Sequence, residues 1–245
     1  MLLEGILRNY MRNLKVSLLF GLLLIFVSFF SIFQNTAFTS GTVFVEYNAL
    51  QNPLSFAIEL LIILAYLVFF SLFISLIVLA VRKELSKVRI EYYLTEMVQK
   101  FTLKIFWFYL IFSVASIVLA SAFISAGIPP ILINLILMVV WAAFMFMPQA
   151  IVIDERPLIE SVEENFYFIN KNPRSFALAF VAGLVFVTLL PLIEYALDLM
   201  TPGLFIGRFV SLFLFLVFVI PFHETLKTYL YMLKFDLIRR TEFIS

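Results

Sequence analysis

Cysteine is absent from the 245 residues, which excludes disulfides, thiol nucleophiles and thiolate metal sites. Histidine occurs once, as His223, too few for a histidine-built metal centre. The 7 glycines form no glycine-rich phosphate loop. His223-Glu224 is followed by Thr225, Leu226 and Lys227, so the metalloprotease pairing of two histidines around a glutamate is missing, and no Gly-x-Ser-x-Gly occurs. The expectation is a chain with no catalytic residues, no metal and no cofactor. Charge is scarce as well, at 13% of residues, against about 25% in a soluble domain. A net charge of +1 gives nucleic acid nothing to bind.

What is plentiful is apolar surface. The hydrophobic fraction is 64% and phenylalanine alone numbers 31. So few charges cannot shield so much apolar surface from water, and lipid is the expected solvent. A bilayer core of about 30 Å takes about 20 apolar residues of helix. Six runs have that length: Val16–Phe33, Leu54–Val81, Ile105–Ala126, Ile131–Ile151, Phe176–Leu197 and Leu204–Leu226. No small-residue cleavage site follows the first, so it reads as a retained helix rather than a signal peptide. Pro129-Pro130 and Thr201-Pro202-Gly203 force tight turns that make hairpins of the third and fourth runs and of the fifth and sixth. The Gln34–Pro53 connection holds Glu46, no basic residue, and an alternating Thr42–Tyr47 segment that reads as a short strand or flap.

Basic residues set the expected orientation. Of the 17 Lys and Arg, only Arg208 falls outside the set formed by the N-terminal segment, the second–third and fourth–fifth connections, and the C-terminal segment. The positive-inside rule puts that set in the cytosol. The expectation is a multi-pass protein of the cell membrane, with both termini cytoplasmic and membrane lipids as its partners.

Each hairpin is preceded on the basic side by an amphipathic segment. The stripes read as Leu3, Leu7, Tyr10 and Leu14; then Leu85, Val88, Tyr92 and Phe101; then Leu158, Val162, Phe166 and Ile169. In the second, Lys87–Glu91 and Glu96–Lys100 are spaced as i,i+4 pairs. Such segments lie in the membrane interface. Arg12-Asn13-Leu14-Lys15 matches Lys171-Asn172-Pro173-Arg174 where the chain returns to lipid, and Met147-Pro148 matches Ile220-Pro221 where it leaves. The fold class is therefore all-α and integral to the membrane. Its six helices form three hairpins, each led by an interfacial helix, in one domain with repeat units of about 1–81, 82–153 and 154–245. The repeat predicts a rough pseudo-three-fold axis along the membrane normal.

Two motifs carry a resemblance. Pro148 to Asp154, with Ser161-Val162-Glu163-Glu164-Asn165 and Lys171-Asn172-Pro173, is one; Thr228 to Leu237, ending in Arg239-Arg240, is the other. Together they resemble the six-span membrane domain that accompanies some glycerophosphodiester phosphodiesterases and also occurs alone in bacteria and archaea. No soluble phosphodiesterase domain is present in this sequence, so the resemblance implies a fold and no activity.

Ionisable groups at membrane depth are costly and mark candidate sites. Glu59, Glu194, Asp198 and Arg208 fall at the outer ends of the spans: a polar lining for an ion, a proton or a lipid head group, or an ion pair that clamps the last hairpin. Gln149, Asp154, His223, Glu224 and Lys227 fall at the inner ends, where Pro221 breaks a helix: a second candidate site, or polar residues that merely suit the interface. Lys15, Lys171 and Arg174 are candidates for a phosphate head group. Asn13 and Asn172 read as helix caps. Two functions follow as expectations. One is a transporter, channel or lipid-handling protein. The other is a structural or regulatory module whose interfacial helices meet a membrane-protein partner or a second copy.

Overall fold

The structure is a computed structural model that describes residues 2–31, 36–39, 42–45, 53–86, 93–201 and 206–234. Helix α1 (Leu2–Arg12) is followed by α2 (Leu14–Leu19), a tight turn, and α3 (Leu23–Ser31). A hairpin of β1 (Thr36–Thr39) and β2 (Thr42–Val45) pairs antiparallel with Thr36 opposite Val45. Then come α4 (Pro53–Leu85), the short α5 (Leu94–Met97), α6 (Leu103–Ser125), α7 (Pro130–Ala143), α8 (Met147–Ile153), α9 (Leu158–Lys171), α10 (Pro173–Met200), α11 (Ile206–Leu214) and α12 (Ile220–Lys234).

Among the described residues, five helical stretches are long and apolar enough to cross a membrane: Pro53–Leu85, Thr95–Ser125, Pro130–Ile153, Pro173–Met200 and Ile206–Leu233. Leu3–Arg12 and Leu14–Phe29, which meet at 62°, supply a sixth if taken as one broken span. The chain is an integral, multi-pass membrane protein. Helices α4 and α12 pack against each other at its centre, with α8 held against α4 and α9. All seven residues of α8 are buried. By contrast only 6% of the apolar window of Thr95–Ser125 and 11% of that of Pro173–Met200 are buried, so most of those surfaces are left to lipid.

The amphipathic helices bury small polar residues beside part of their apolar stripes, with Tyr10 buried and Leu158, Val162 and Ile169 packed against the core. In α1 the buried positions are Gly5, Ile6, Asn9 and Tyr10, followed by Asn13 at the bend, while Leu3, Leu7 and Met11 are exposed. In α9 they are Ser161, Asn165 and Phe168, while Phe166 is exposed. The reason is the solvent. Next to lipid, apolar side chains gain little by facing protein, whereas small polar side chains gain hydrogen bonds and close approach there. Gly5 shows the closeness, since a Cβ at that position would lie 2.8 Å from the Tyr229 hydroxyl oxygen.

The first and third units share a helix, a buried asparagine and a second helix. The second departs from this. Its described part runs from α5 through a π-helical turn (Val98–Thr102) straight into α6. Leu85 belongs to α4, and Lys87, Val88, Glu91 and Tyr92 lie outside the described residues, as do Glu46 and the tail beyond Lys234 with Arg239 and Arg240. The strand expected at Thr42–Tyr47 is β2 over Thr42–Val45, and the hairpin packs against α11 through β1.

Asn13 and Asn172 do not cap helices with their side chains. The Asn13 amide instead donates back to the Asn9 carbonyl at 3.0 Å. The Asn172 Oδ1 is buried and meets no hydrogen-bond donor among the described residues. Both stand at the bend itself, where the backbone at φ −96° and −132° turns one helix into the next.

Candidate functional site

Between α7 and α8 the helix breaks over Phe144–Phe146, just ahead of Pro148. Proline has no N–H for the carbonyl of Phe144 and its ring crowds that turn. That carbonyl takes the Met147 N–H at 3.1 Å instead. Two other chains of atoms repair the rest. Asn165 of α9 donates from Nδ2 to the Ala143 carbonyl at 2.8 Å and accepts the Phe146 N–H at 3.1 Å. One side-chain amide thus stands in for a missing turn of helix. Lys227 of α12 donates from Nζ to the Met145 carbonyl at 2.9 Å. Asn165 is wholly buried, and the rings of Phe146, Phe168 and Tyr231 stack beside it with centroids 4.6 Å apart in the two closest pairs.

The same lysine joins the inner polar cluster. Lys227 Nζ lies 2.6 Å from Glu224 Oε1, with both side chains 6% exposed. Gln149 Nε2 donates to Glu224 Oε2 at 2.9 Å and to Thr228 Oγ1 at 3.4 Å. Thr228 donates to the Glu224 carbonyl at 2.8 Å. Gln149, Glu224 and Lys227 are therefore one bonded unit. A buried pair of this kind is stable only while both partners remain, and losing one costs about 3–5 kcal/mol. His223 turns the other way: its Nε2 lies 3.0 Å from the Ala179 carbonyl of α10. A carbonyl only accepts, so that nitrogen carries the proton. Asp154 sits one layer further out and accepts the Tyr231 hydroxyl at 2.5 Å. Burial lifts the Asp154 carboxyl above the usual carboxylate range, with Tyr231, Arg156 and Arg82 acting against the lift.

Sequence inspection misses the basic collar around this cluster. Arg82 of α4 donates to the Val152 carbonyl at 2.7 Å and to Glu155 at 3.0 Å, and Lys100 also pairs with Glu155. Glu155 has φ +59°, a left-handed backbone that non-glycine residues seldom adopt. Two cations on its carboxylate hold it there. The signal in the sequence is faint: Glu155, one of two acidic residues in the turn after α8, pairs with basic residues 55 and 73 positions away.

Above the cluster lies a cavity of about 400 Å³. Its walls come from α4 (Phe70), α6 (Tyr109), α7 (Met138, Trp141, Ala142), α10 (Ala179 to Val187) and the Phe215–Glu224 stretch. Most of this lining is apolar; Tyr109, His223 and Glu224 are its ionisable residues. Helix α7 packs on α6, and α10 on α11 and α12, so the cavity separates two hairpins that hardly touch one another. A second, apolar cavity lies under α1, against Ala177, Leu178, Val181 and Ala182 of α10.

The outer residues hold the α10–α11 hairpin together. Glu194 Oε1 lies 3.9 Å from Arg208 Nε and accepts Thr39 Oγ1 of β1 at 3.0 Å. Glu194 Oε2 accepts Ser211 Oγ at 2.9 Å. Asp198 accepts the Gly207 N–H at 2.9 Å and so caps the first turn of α11 from a neighbouring helix. Gly207 allows this approach, because a Cβ there would meet the Glu194 carbonyl and the Asp198 carboxylate. Glu59, buried in α4, accepts Ser55 Oγ one turn back at 3.3 Å. Of the proposed head-group ligands, Lys15, Lys171 and Arg174 are all exposed and share no described contact with one another. Lys171 lies over the Tyr167 ring at 5.8 Å.

Comparison with known protein families, with curated proteins and with solved structures finds no match to this chain. The likeness to the phosphodiesterase-associated membrane domain therefore rests on its short motifs alone.

Proposed function

We propose that this protein handles a membrane amphiphile, which lodges between the α6–α7 hairpin and α10. One observation carries the reading: the apolar cavity between loosely joined hairpins ends on the polar side chains of His223 and Glu224. Its volume of about 400 Å³ lies within the range of about 300–1,000 Å³ typical of ligand sites. Apolar walls with a few convergent polar groups suit a chain with a polar end. In this reading the basic collar faces the cytosol with both termini, and the floor lies in the inner half of the bilayer. The outer cluster serves as a clamp, since each of its described bonds is used to fasten α10, α11, β1 or α4.

The test is retention of a bound lipid or amphiphile by the purified protein, read by native mass spectrometry. Gly183 lines the cavity, and a Cβ there already reaches 3.4 Å from His223 Nε2. Gly183→Leu fills the space and is expected to lose the adduct while keeping the helical content. An adduct retained equally by wild type and Gly183→Leu, or none in wild type, overturns the reading.

A second reading draws on α9, where Ile159, Phe166 and Tyr167 are exposed beside Glu160 and Glu163. That face would dock a protein partner or a second copy. Glu164 is unsuitable for testing it, because it pairs with Arg156 at 3.3 Å. Charge reversal at Glu160 and Glu163 should weaken association; unchanged association removes the reading.

A further inference from the structure

The polar cluster that reaches the cavity through His223 and Glu224 has acceptors to spare and few donors. Gln149 spends Nε2 on Glu224 and Thr228. Lys227 spends Nζ on Glu224 and the Met145 carbonyl. Thr225 and Thr228 donate to the carbonyls of Pro221 and Glu224, each at 2.8 Å. His223 uses its one ring N–H on Ala179. On the acceptor side, Gln149 Oε1 is wholly buried and meets no donor among the described residues. The Glu224 carboxylate, with about four lone-pair sites, receives Lys227 on one oxygen and Gln149 on the other. With its proton on Nε2, a neutral His223 ring has Nδ1 as a further acceptor.

The walls agree with the floor. Phe70, Tyr109, Trp141, Phe180 and Phe215 line the cavity, and Glu224 is its anionic residue. The faces of aromatic rings attract cations, most strongly where water is excluded. Lys227, the one basic side chain of the cluster, holds one Glu224 oxygen and the Met145 carbonyl from behind and, like Gln149, is not part of the lining.

We infer that the ligand of this cavity is a lipophilic ammonium: an apolar tail with a protonated amine that donates N–H to Glu224 and rests among the rings. The inference depends on the cavity binding an amphiphile at all, and its test separates the two claims. Trp141 lines the cavity, and the other tryptophan, Trp107, is exposed on α6. Trp107→Phe therefore leaves one reporter. In nanodiscs of phosphatidylcholine, this variant is titrated with bromine-bearing dodecyl chains that end in ammonium, hydroxyl or sulfonate, and Trp141 quenching is followed.

The expected result is saturable quenching by the ammonium at a concentration at least about ten-fold lower than for the alcohol or the sulfonate. Glu224→Gln should abolish that preference. Because Glu224→Gln strands Lys227, the paired variant Glu224→Gln/Lys227→Met is measured beside it and should lose the preference equally. Saturable quenching of equal affinity for ammonium and alcohol, or a preference that survives both variants, overturns the ammonium inference and leaves amphiphile binding standing. Quenching that rises linearly for all three chains, as simple partitioning would give, overturns the binding site itself.

Discussion

Asn165 offers the sharpest perturbation of the fold. Its amide accepts the Phe146 N–H and donates to the Ala143 carbonyl across the α7–α8 break. Phe146 and Asn165 are wholly buried, so water cannot replace the lost partner. In Asn165→Leu, a side chain of similar shape, both backbone groups are stranded at about 1–3 kcal/mol each. The expected loss is about 2–6 kcal/mol, a large share of a typical total of about 5–15 kcal/mol. Asn165→Asp keeps an acceptor for Phe146 but cannot donate to Ala143 and adds a buried charge, so it should be at least as damaging. Ser161→Ala is the control. Its hydroxyl bonds only to the Pro157 carbonyl, which also accepts the Ser161 N–H, and the expected loss is about 1 kcal/mol or less. Unfolding by added SDS in mixed micelles gives the free energies, and Trp141 in α7, close to the break, reports locally. If Asn165→Leu unfolds within about 0.5 kcal/mol of wild type, the scatter of surface changes, the amide does not repair the break.

Other outcomes follow from the same geometry. Lys227→Met strands both Glu224 and the Met145 carbonyl and should lose about 3–5 kcal/mol in the same assay, with part recovered when Glu224→Gln is added. Asp198→Ala uncaps α11 at Gly207 and should lose about 1 kcal/mol, whereas Arg208→Ala should lose less, because its side chain is 46% exposed and the pair is screened. Glu155→Gly relieves a left-handed backbone by about 1–2 kcal/mol yet removes the partner of Arg82 and Lys100, so a net stabilisation would show that the two cations do not hold the turn. The raised Asp154 carboxyl binds its proton more readily in the folded protein than in the unfolded one. Its contribution to stability therefore grows as pH falls from above the folded pKa towards the ordinary carboxylate range, and is lost again as pH rises; Asp154→Asn should flatten that part of the stability–pH curve.

Much of this was legible in the sequence because lipid imposes simple rules. Apolar runs of spanning length, the prolines that break them and the bend after Arg12 all follow from backbone hydrogen bonding in a medium without water. Glu194 with Arg208, and Gln149 with Glu224 and Lys227, stood out as rare ionisable or polar groups near helix ends. Which polar residues the first and third amphipathic helices bury was not legible, because an apolar stripe marks the protein side only when the alternative is water. Here Leu3, Leu7 and Phe166 are exposed and Asn9, Ser161 and Asn165 face protein. The role of Asn165 was hidden for a further reason. Its partners are backbone atoms 19 and 22 residues away, and a broken turn has no side-chain signature beyond the proline that follows it. The cavity was hidden as well, since it depends on how far α7 stands from α10 rather than on either helix alone.

The most direct measurement of the central claim is a density map of the protein in nanodiscs of native lipid. The account predicts an elongated density between Trp141 and Phe180, ending within hydrogen-bonding reach of Glu224. Helices α7 and α10 closed upon each other with no density between them would contradict it.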